Sequence, residues 1–135
     1  MLLTLLKLFY TLYFYFIVSA SYLFFSCLIL PVYPFLGKHR FLGYRIAAKC
    51  WGTTSMFLTG LFPKHMGNCL KHKGARIYML NHQSQIDILL AMAILPIGFI
   101  FIAKEELFRV PLLGLSMKLA GYIPIKRESA RKSQK

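Results

Sequence analysis

From Leu8 to Gly37 the chain carries no charged residue. This limits the fold more than any other feature of the sequence. About 20 predominantly apolar residues in a helix cross the hydrocarbon core of a bilayer. Leu8 to Leu30 supplies 23, roughly 34 Å at the helical rise. Pro31 and Pro34 follow as a stop, since proline has no N–H to continue a helix. Tyr10, Tyr13, Tyr15 and Tyr22 sit among Phe and Leu, where tyrosine rings can anchor at a membrane interface. The alternative is a cleaved signal peptide, with Lys7 as its basic start and Val18-Ser19-Ala20 as the cleavage site. The apolar run continues past that site to Leu30, which favours an anchor. Lys7 precedes the run, whereas Lys38, Arg40, Arg45 and Lys49 follow it. The positive-inside rule then places the rest of the chain on the cytoplasmic side.

A chain of 135 residues allows one modest domain. Its 17 Lys and Arg against four acids give a net charge of +13, which suits an anionic partner. That partner is expected to be a phospholipid membrane and not a nucleic acid. Single-strand binders interleave aromatics with exposed cations, and here the aromatics cluster in the apolar run. The three cysteines, Cys27, Cys50 and Cys69, are widely spaced and form no zinc or disulfide pattern.

A second helix is expected over about 41–62. At 100° per residue, Ile46, Ala47, Cys50, Trp51, Phe57, Leu58, Leu61 and Phe62 share a broad apolar face, with Arg45, Lys49, Gly52, Thr53 and Thr59 opposite. Such a helix can lie in the interface with its cations on anionic headgroups; a second spanning helix or a core helix is the alternative. Eight cations and no acid fall between Lys38 and Arg76, a composition suited to an anionic surface.

From Ala75 the pattern changes. Arg76 to Leu80 reads as a short buried strand, Asn81 to Ser84 as a polar turn, and Ile86 to Leu95 as a helix stopped by Pro96. Gly98 to Ala103 reads as a second strand, Leu112 to Ala120 as a helix, and Tyr122 to Ile125 as a third strand. Alternating strands and helices imply a βαβ arrangement with a largely parallel sheet.

His82 and Asp87 are the chemistry-bearing pair. In one continuous helix, five positions would set them about 140° apart. They can meet if His82 lies in the turn and Asp87 in the first helical turn, where the helix dipole favours a carboxylate. Asp87 can then fix the imidazole tautomer while the other ring nitrogen takes a proton from a substrate hydroxyl. By itself, a histidine beside a turn is more often structural, and the H-x4-D spacing is common. No third ligand accompanies the pair, so no metal is expected.

Asn81-His82-Gln83-Ser84-Gln85-Ile86-Asp87 resembles the NHxSxxD signature of the glycerolipid acyltransferases, which include the lysophosphatidic acid acyltransferases. Two further blocks extend the likeness, Ala103 to Phe108 with Pro111 to Gly114, and Gly121-Tyr122-Ile123-Pro124-Ile125-Lys126-Arg127. The resemblance implies a one-step acyl transfer, with His82 as general base and Asp87 as its orienting partner. Arg127 and Lys104 would bind substrate phosphate, and Asn81, Gln83, Ser84 and Gly121 would support the motif. Ser84 is expected to cap the helix and not to act as a nucleophile.

The acyl donor would be acyl-CoA or acyl-carrier protein, with no cofactor, and the acceptor a lysophospholipid. Lys126 departs from the family, where many members carry an acid or amide. The later Glu-Gly-Thr-Arg and proline-containing blocks are absent. The expected architecture is therefore α/β. Residues 1–37 form a membrane-embedded helix, 38–62 a basic interfacial helix, and 63–135 an incomplete βαβ acyltransferase domain. A catalytically inactive membrane-associated fragment is the alternative reading.

The chain should sediment with membranes and stay there through a high-salt wash, because burial of an uncharged run does not depend on screened charges. Recovery of the intact chain in the soluble fraction would refute the anchor. A shortened product beginning near Ser21 would point to the signal peptide.

Overall fold

The computed structural model describes residues 2–64, 74–81 and 84–126. Helix α1 (Leu2–Ile29) is 28 residues long, about 42 Å at the helical rise. It is long and apolar enough to cross a membrane, with a mean hydropathy of 1.9 over 18 residues. A 3₁₀ segment, Tyr33–His39, kinked at Gly37, turns the chain into α2 (Arg40–Leu58). After it come α3 (Ile86–Ile94), β1 (Ile102–Lys104), a second 3₁₀ segment (Glu105–Arg109), α4 (Leu113–Leu119) and β2 (Ile123–Ile125).

Helices α1 and α2 run antiparallel. The Tyr10 and Tyr13 hydroxyls donate to the Thr59 and Leu58 carbonyls at 2.9 and 2.8 Å. Ser21 meets Ser55 at 2.8 Å, and Trp51 Nε1 donates to the Val18 carbonyl at 3.1 Å. At the turn end, the Tyr33 ring packs edge-on against Tyr44. Ser55 is fully buried, so its hydroxyl needs the partner it finds on α1.

The core lies between the turn end of this hairpin and the elements after it. Tyr44, Met92, Phe108, Met117, Ala120 and Tyr122 form one buried cluster. The Ser116 hydroxyl joins α4 to both long helices, at 2.6 Å from Tyr22 OH and 2.6 Å from Tyr44 OH. The Phe101 ring stands edge-on to Tyr122 at 5.4 Å. Burial pushes the Tyr122 phenol up to about 12.

Strands β1 and β2 are parallel, pairing Ile102 with Ile123 and Lys104 with Ile125. The second 3₁₀ segment and α4 connect them. Among the described residues the chain is thus mostly helical, with one small parallel sheet.

Three expectations are corrected. Residues 76–80 form no strand: β1 and β2 pair with each other, and Ile77 and Met79 are 90% and 92% exposed. The strand expected at 98–103 begins only at Ile102, because the ladder to β2 starts there.

The basic stripe of α2, expected on headgroups, instead meets the protein: Arg45 and Lys49 donate to carbonyls and Gly52 packs on α3, while Ile46, Phe57 and Leu58 of the apolar face are exposed and Trp51 of that face packs on α1. The cause is space and hydrogen bonding. At Gly52 the backbone of α3 comes so close that an added Cβ would lie 2.6 Å from Met92 Cβ and 3.0 Å from the Leu89 carbonyl. The two cations meanwhile donate to carbonyls at and beyond the ends of α3 and α4.

Two outcomes follow from this packing. Gly52→Val should destabilise the fold by about 1–3 kcal/mol through forced separation of α2 from α3, read as a lower denaturation midpoint in detergent micelles. In alkaline titration, a Tyr122 held neutral while the unfolded phenol ionises contributes stability that is full below the ordinary tyrosine value of 10.0 and is lost as pH rises toward about 12. Tyr122→Phe should flatten that loss in a circular-dichroism pH series.

Candidate active site

The start of α3 is built by a reciprocal pair of hydrogen bonds. Asp87 Oδ2 accepts from the Ser84 backbone N–H at 2.8 Å, and Ser84 Oγ accepts from the Ile86 N–H at 3.3 Å. This is the logic of a capping box, in which side chains at each end of the first turn satisfy donors the helix leaves open. The first turn is tight, with Asp87 N–H on the Ser84 carbonyl and Ile88 N–H on that of Gln85. Asp87 is half-buried, and its charge sits where the helix dipole favours it. Asn81 is exposed. His82, Gln83 and Arg127 lie outside the described residues.

The far end of α3 is held from α2. Lys49 Nζ donates to the Ala93 carbonyl at 3.0 Å and to that of Leu95 at 2.8 Å. Pro96 ends the helix and brings no N–H of its own. Arg45 Nε donates to the Ala120 carbonyl at 2.9 Å and its Nη1 to the Gly98 carbonyl at 3.3 Å.

Gly121 closes α4 with φ at 71°. Its N–H meets the Lys118 carbonyl and the Tyr122 N–H meets that of Met117, both at 3.0 Å, the bond pattern of a Schellman motif. An added Cβ would also come within 3.1 Å of Phe41 and 3.3 Å of Arg45. Gly121 therefore serves the backbone turn that feeds β2.

The C-terminal ends of β1 and β2 carry the remaining polar groups. Register sets Lys104 opposite Ile125, beside Lys126. Lys104 Nζ pairs with Glu106 at 3.1 Å, both half exposed. The backbone N–H of Glu106 first, and then Lys104, hold the Glu106 carboxyl below the usual range. Glu105 takes Arg109 at 3.0 Å and Lys126 at 3.6 Å. An open groove is lined by Glu105, Arg109, Lys118 and Lys126 over Tyr122 and Pro124. The carboxyl ends of parallel strands are where open α/β sheets place their ligands.

Ser84 and Asp87 are thus brought together at one place, and Lys104 and Lys126 at another. Sequence reasoning missed the cation–carbonyl contacts of Arg45 and Lys49. Pro96 was the available signal, because a helix stopped by proline needs donors from elsewhere. Among the described residues no group of His, Cys, Asp and Glu could hold a metal ion.

Residues 63–135 match the Acyltransferase family model. The 1-acyl-sn-glycerol-3-phosphate acyltransferase of Saccharomyces cerevisiae is 36% identical over 86 residues, which cover 64% of this chain and 28% of that protein. The enzyme of the same name from Helicobacter pylori is 36% identical over 74 residues, or 55% of this chain and 30% of that protein. The chloroplastic 1-acyl-sn-glycerol-3-phosphate acyltransferase LPAT1 of Arabidopsis thaliana is 29% identical over 89 residues, or 65% and 25%. The chain spans about a quarter to three tenths of the length of these relatives. No solved structure gives a significant match. The family match covers more than half of the chain, including the helix that Asp87 opens and the paired strands that carry Lys104 and Lys126, and on that ground the chain belongs to the acyltransferase family.

Proposed function

We propose that the protein transfers a fatty acyl group from acyl-CoA or acyl-carrier protein to the free hydroxyl of lysophosphatidic acid, giving phosphatidic acid for phospholipid synthesis. The observation that carries this reading is the capped turn. The motif Asn81 to Asp87 straddles the entry to α3, with Asp87 anchored to the Ser84 N–H. In this reading His82 removes the hydroxyl proton as the oxygen attacks the thioester carbonyl. The C–S bond then breaks, and the thiolate leaves with a proton. Asp87 orients the imidazole; a carboxylate accepts at both oxygens, so it can serve cap and imidazole together. Lys104 and Arg127 take the acceptor phosphate, which would replace Glu106 as the partner of Lys104. The reaction uses no metal or organic cofactor, the donor being a co-substrate.

In this reading the enzyme works at a phospholipid membrane, with the catalytic segment on the cytoplasmic side by the excess of cations after the apolar run. The support is α1, largely exposed and apolar, and the exposed Phe57, Leu58 and Phe62 around the end of α2. A helix end in hydrocarbon needs its carbonyls satisfied by protein. The Tyr10 and Tyr13 hydroxyls provide that for Leu58 and Thr59. Residues 63–135 then belong to a βαβ acyltransferase domain, with β1, α4 and β2 as one of its crossovers.

The test is transfer of a labelled acyl group to lysophosphatidic acid by residues 1–135 joined to the later blocks of the Saccharomyces cerevisiae relative. His82→Ala should lower turnover by about 10²- to 10⁴-fold, with the protein still membrane-bound. Asp87→Asn should fall comparably, because the amide presents the wrong hydrogen-bond partner. Ser84→Ala should be mild, since it removes a cap of about 1 kcal/mol. An inactive Ser84→Ala beside an active His82→Ala would replace the base mechanism with a serine acyl-enzyme.

A further inference from the structure

Arg45, Lys49 and Gly52 lie at i, i+4 and i+7 on α2, a single helical stripe. Each touches a different part of the catalytic segment. Gly52 admits the backbone of α3. Lys49 closes the C-terminus of α3 through the Ala93 and Leu95 carbonyls. Arg45 spans the Ala120 carbonyl, where α4 turns into β2, and the Gly98 carbonyl, on the path from α3 to β1. The Schellman bonds of α4 use the Met117 and Lys118 carbonyls, and Arg45 takes that of Ala120 beyond them. α2 has no acid with which either cation could pair instead.

We propose that Arg45 and Lys49 are positioning residues that fix the Asp87 block against the Lys104–Lys126 strand edge. One rigid helix grips α3, which Asp87 opens, and the turn into β2, which ends beside Lys126. The distance between the two blocks is therefore set on α2, remote from the reacting atoms. The role rests on the acyl-transfer reading, whereas the grip itself does not.

Two measurements separate these. The first is hydrogen–deuterium exchange of the 135-residue chain in detergent micelles. Lys49→Met keeps the stem and removes the donor, and Arg45→Met does the same. Loss of a hydrogen bond from a charged group should speed exchange about tenfold or more. For Lys49→Met the effect should fall on the amides of 84–95, and for Arg45→Met on those of 98–104 and 120–126. Lys49→Arg and Arg45→Lys should restore much of the protection. Unchanged exchange, or a uniform rise along the whole chain, would overturn the proposal.

The second is kinetic, in the joined enzyme used for the acyl-transfer assay. Both Met variants should lower kcat with KM for acceptor and donor nearly unchanged, because the groups still bind but are misplaced; a 1 Å error can cost about 10²-fold. Local exchange changes with unaltered kcat would also overturn the positioning role. A parent enzyme without acyl transfer, but with the local exchange pattern intact, would count against the acyl-transfer reading and with it the role, while leaving the grip established.

Discussion

The last carbonyls of an α-helix have no N–H of their own to accept from. In this chain, helix after helix takes the missing donor from a neighbour. The end of α2 uses Tyr10 and Tyr13 of α1, the end of α3 uses Lys49, and the end of α4 uses Arg45. These bonds are directional, and each joins a helix end to one particular place on another helix. They set which helix lies where more tightly than the apolar contacts around them, because hydrophobic burial has no preferred direction. The hydroxyl contacts of Ser116 with Tyr22 and Tyr44 fasten α4 to both long helices in the same way.

This use of donors recasts the charge excess. Read as composition, 17 cations against four acids describe a surface for anionic lipid. Two of those cations are spent inside the protein on carbonyl dipoles, where a positive charge at a helix C-terminus is favourable. The acids at Asp87, Glu105 and Glu106 are each committed as well, one at a helix start and two in ion pairs at the strand ends. Exposed pairs of that kind add little stability. Their consequence is electrostatic, since Glu105 and Glu106 hold Lys104, Arg109 and Lys126 around one edge of the sheet.

Periodicity located the regular elements well. Four helices and the strand at 123–125 stand near where apolar spacing and the prolines put them, although α1 begins at Leu2, six residues ahead of the expected start. Periodicity failed where the outcome depended on a partner. Residues 76–80 have strand composition, yet a strand is defined by pairing, and β1 pairs with β2 instead. The face of α2 was misread for a related reason. Gly52 and two cations meet the protein because α3 and carbonyls are there to receive them, while Ile46, Phe57 and Leu58 stay exposed and Trp51 packs on α1. At the candidate site, the helix start formed by Ser84 and Asp87 was legible from the motif, and their mutual bonds follow from its spacing. The assignments of His82, Gln83 and Arg127 still rest on the resemblance.

The size of α3 explains why both its ends are so firmly held. A helix of nine residues is too short to persist alone in water, where about 12–15 residues are marginal even for favourable sequences. Its middle is fixed by burial of Leu89, Ala91 and Met92 against α2. Its first turn is fixed by the bonds of Ser84 with Asp87 and Ile86, and its last by Lys49. Under the proposed reading, in which Asp87 orients a base, its backbone needs to be held to a fraction of an ångström. On a short helix that precision has to be supplied from outside. Within the helical hairpin, α2 is thus the surface on which α3 is seated and by which its last turn is held.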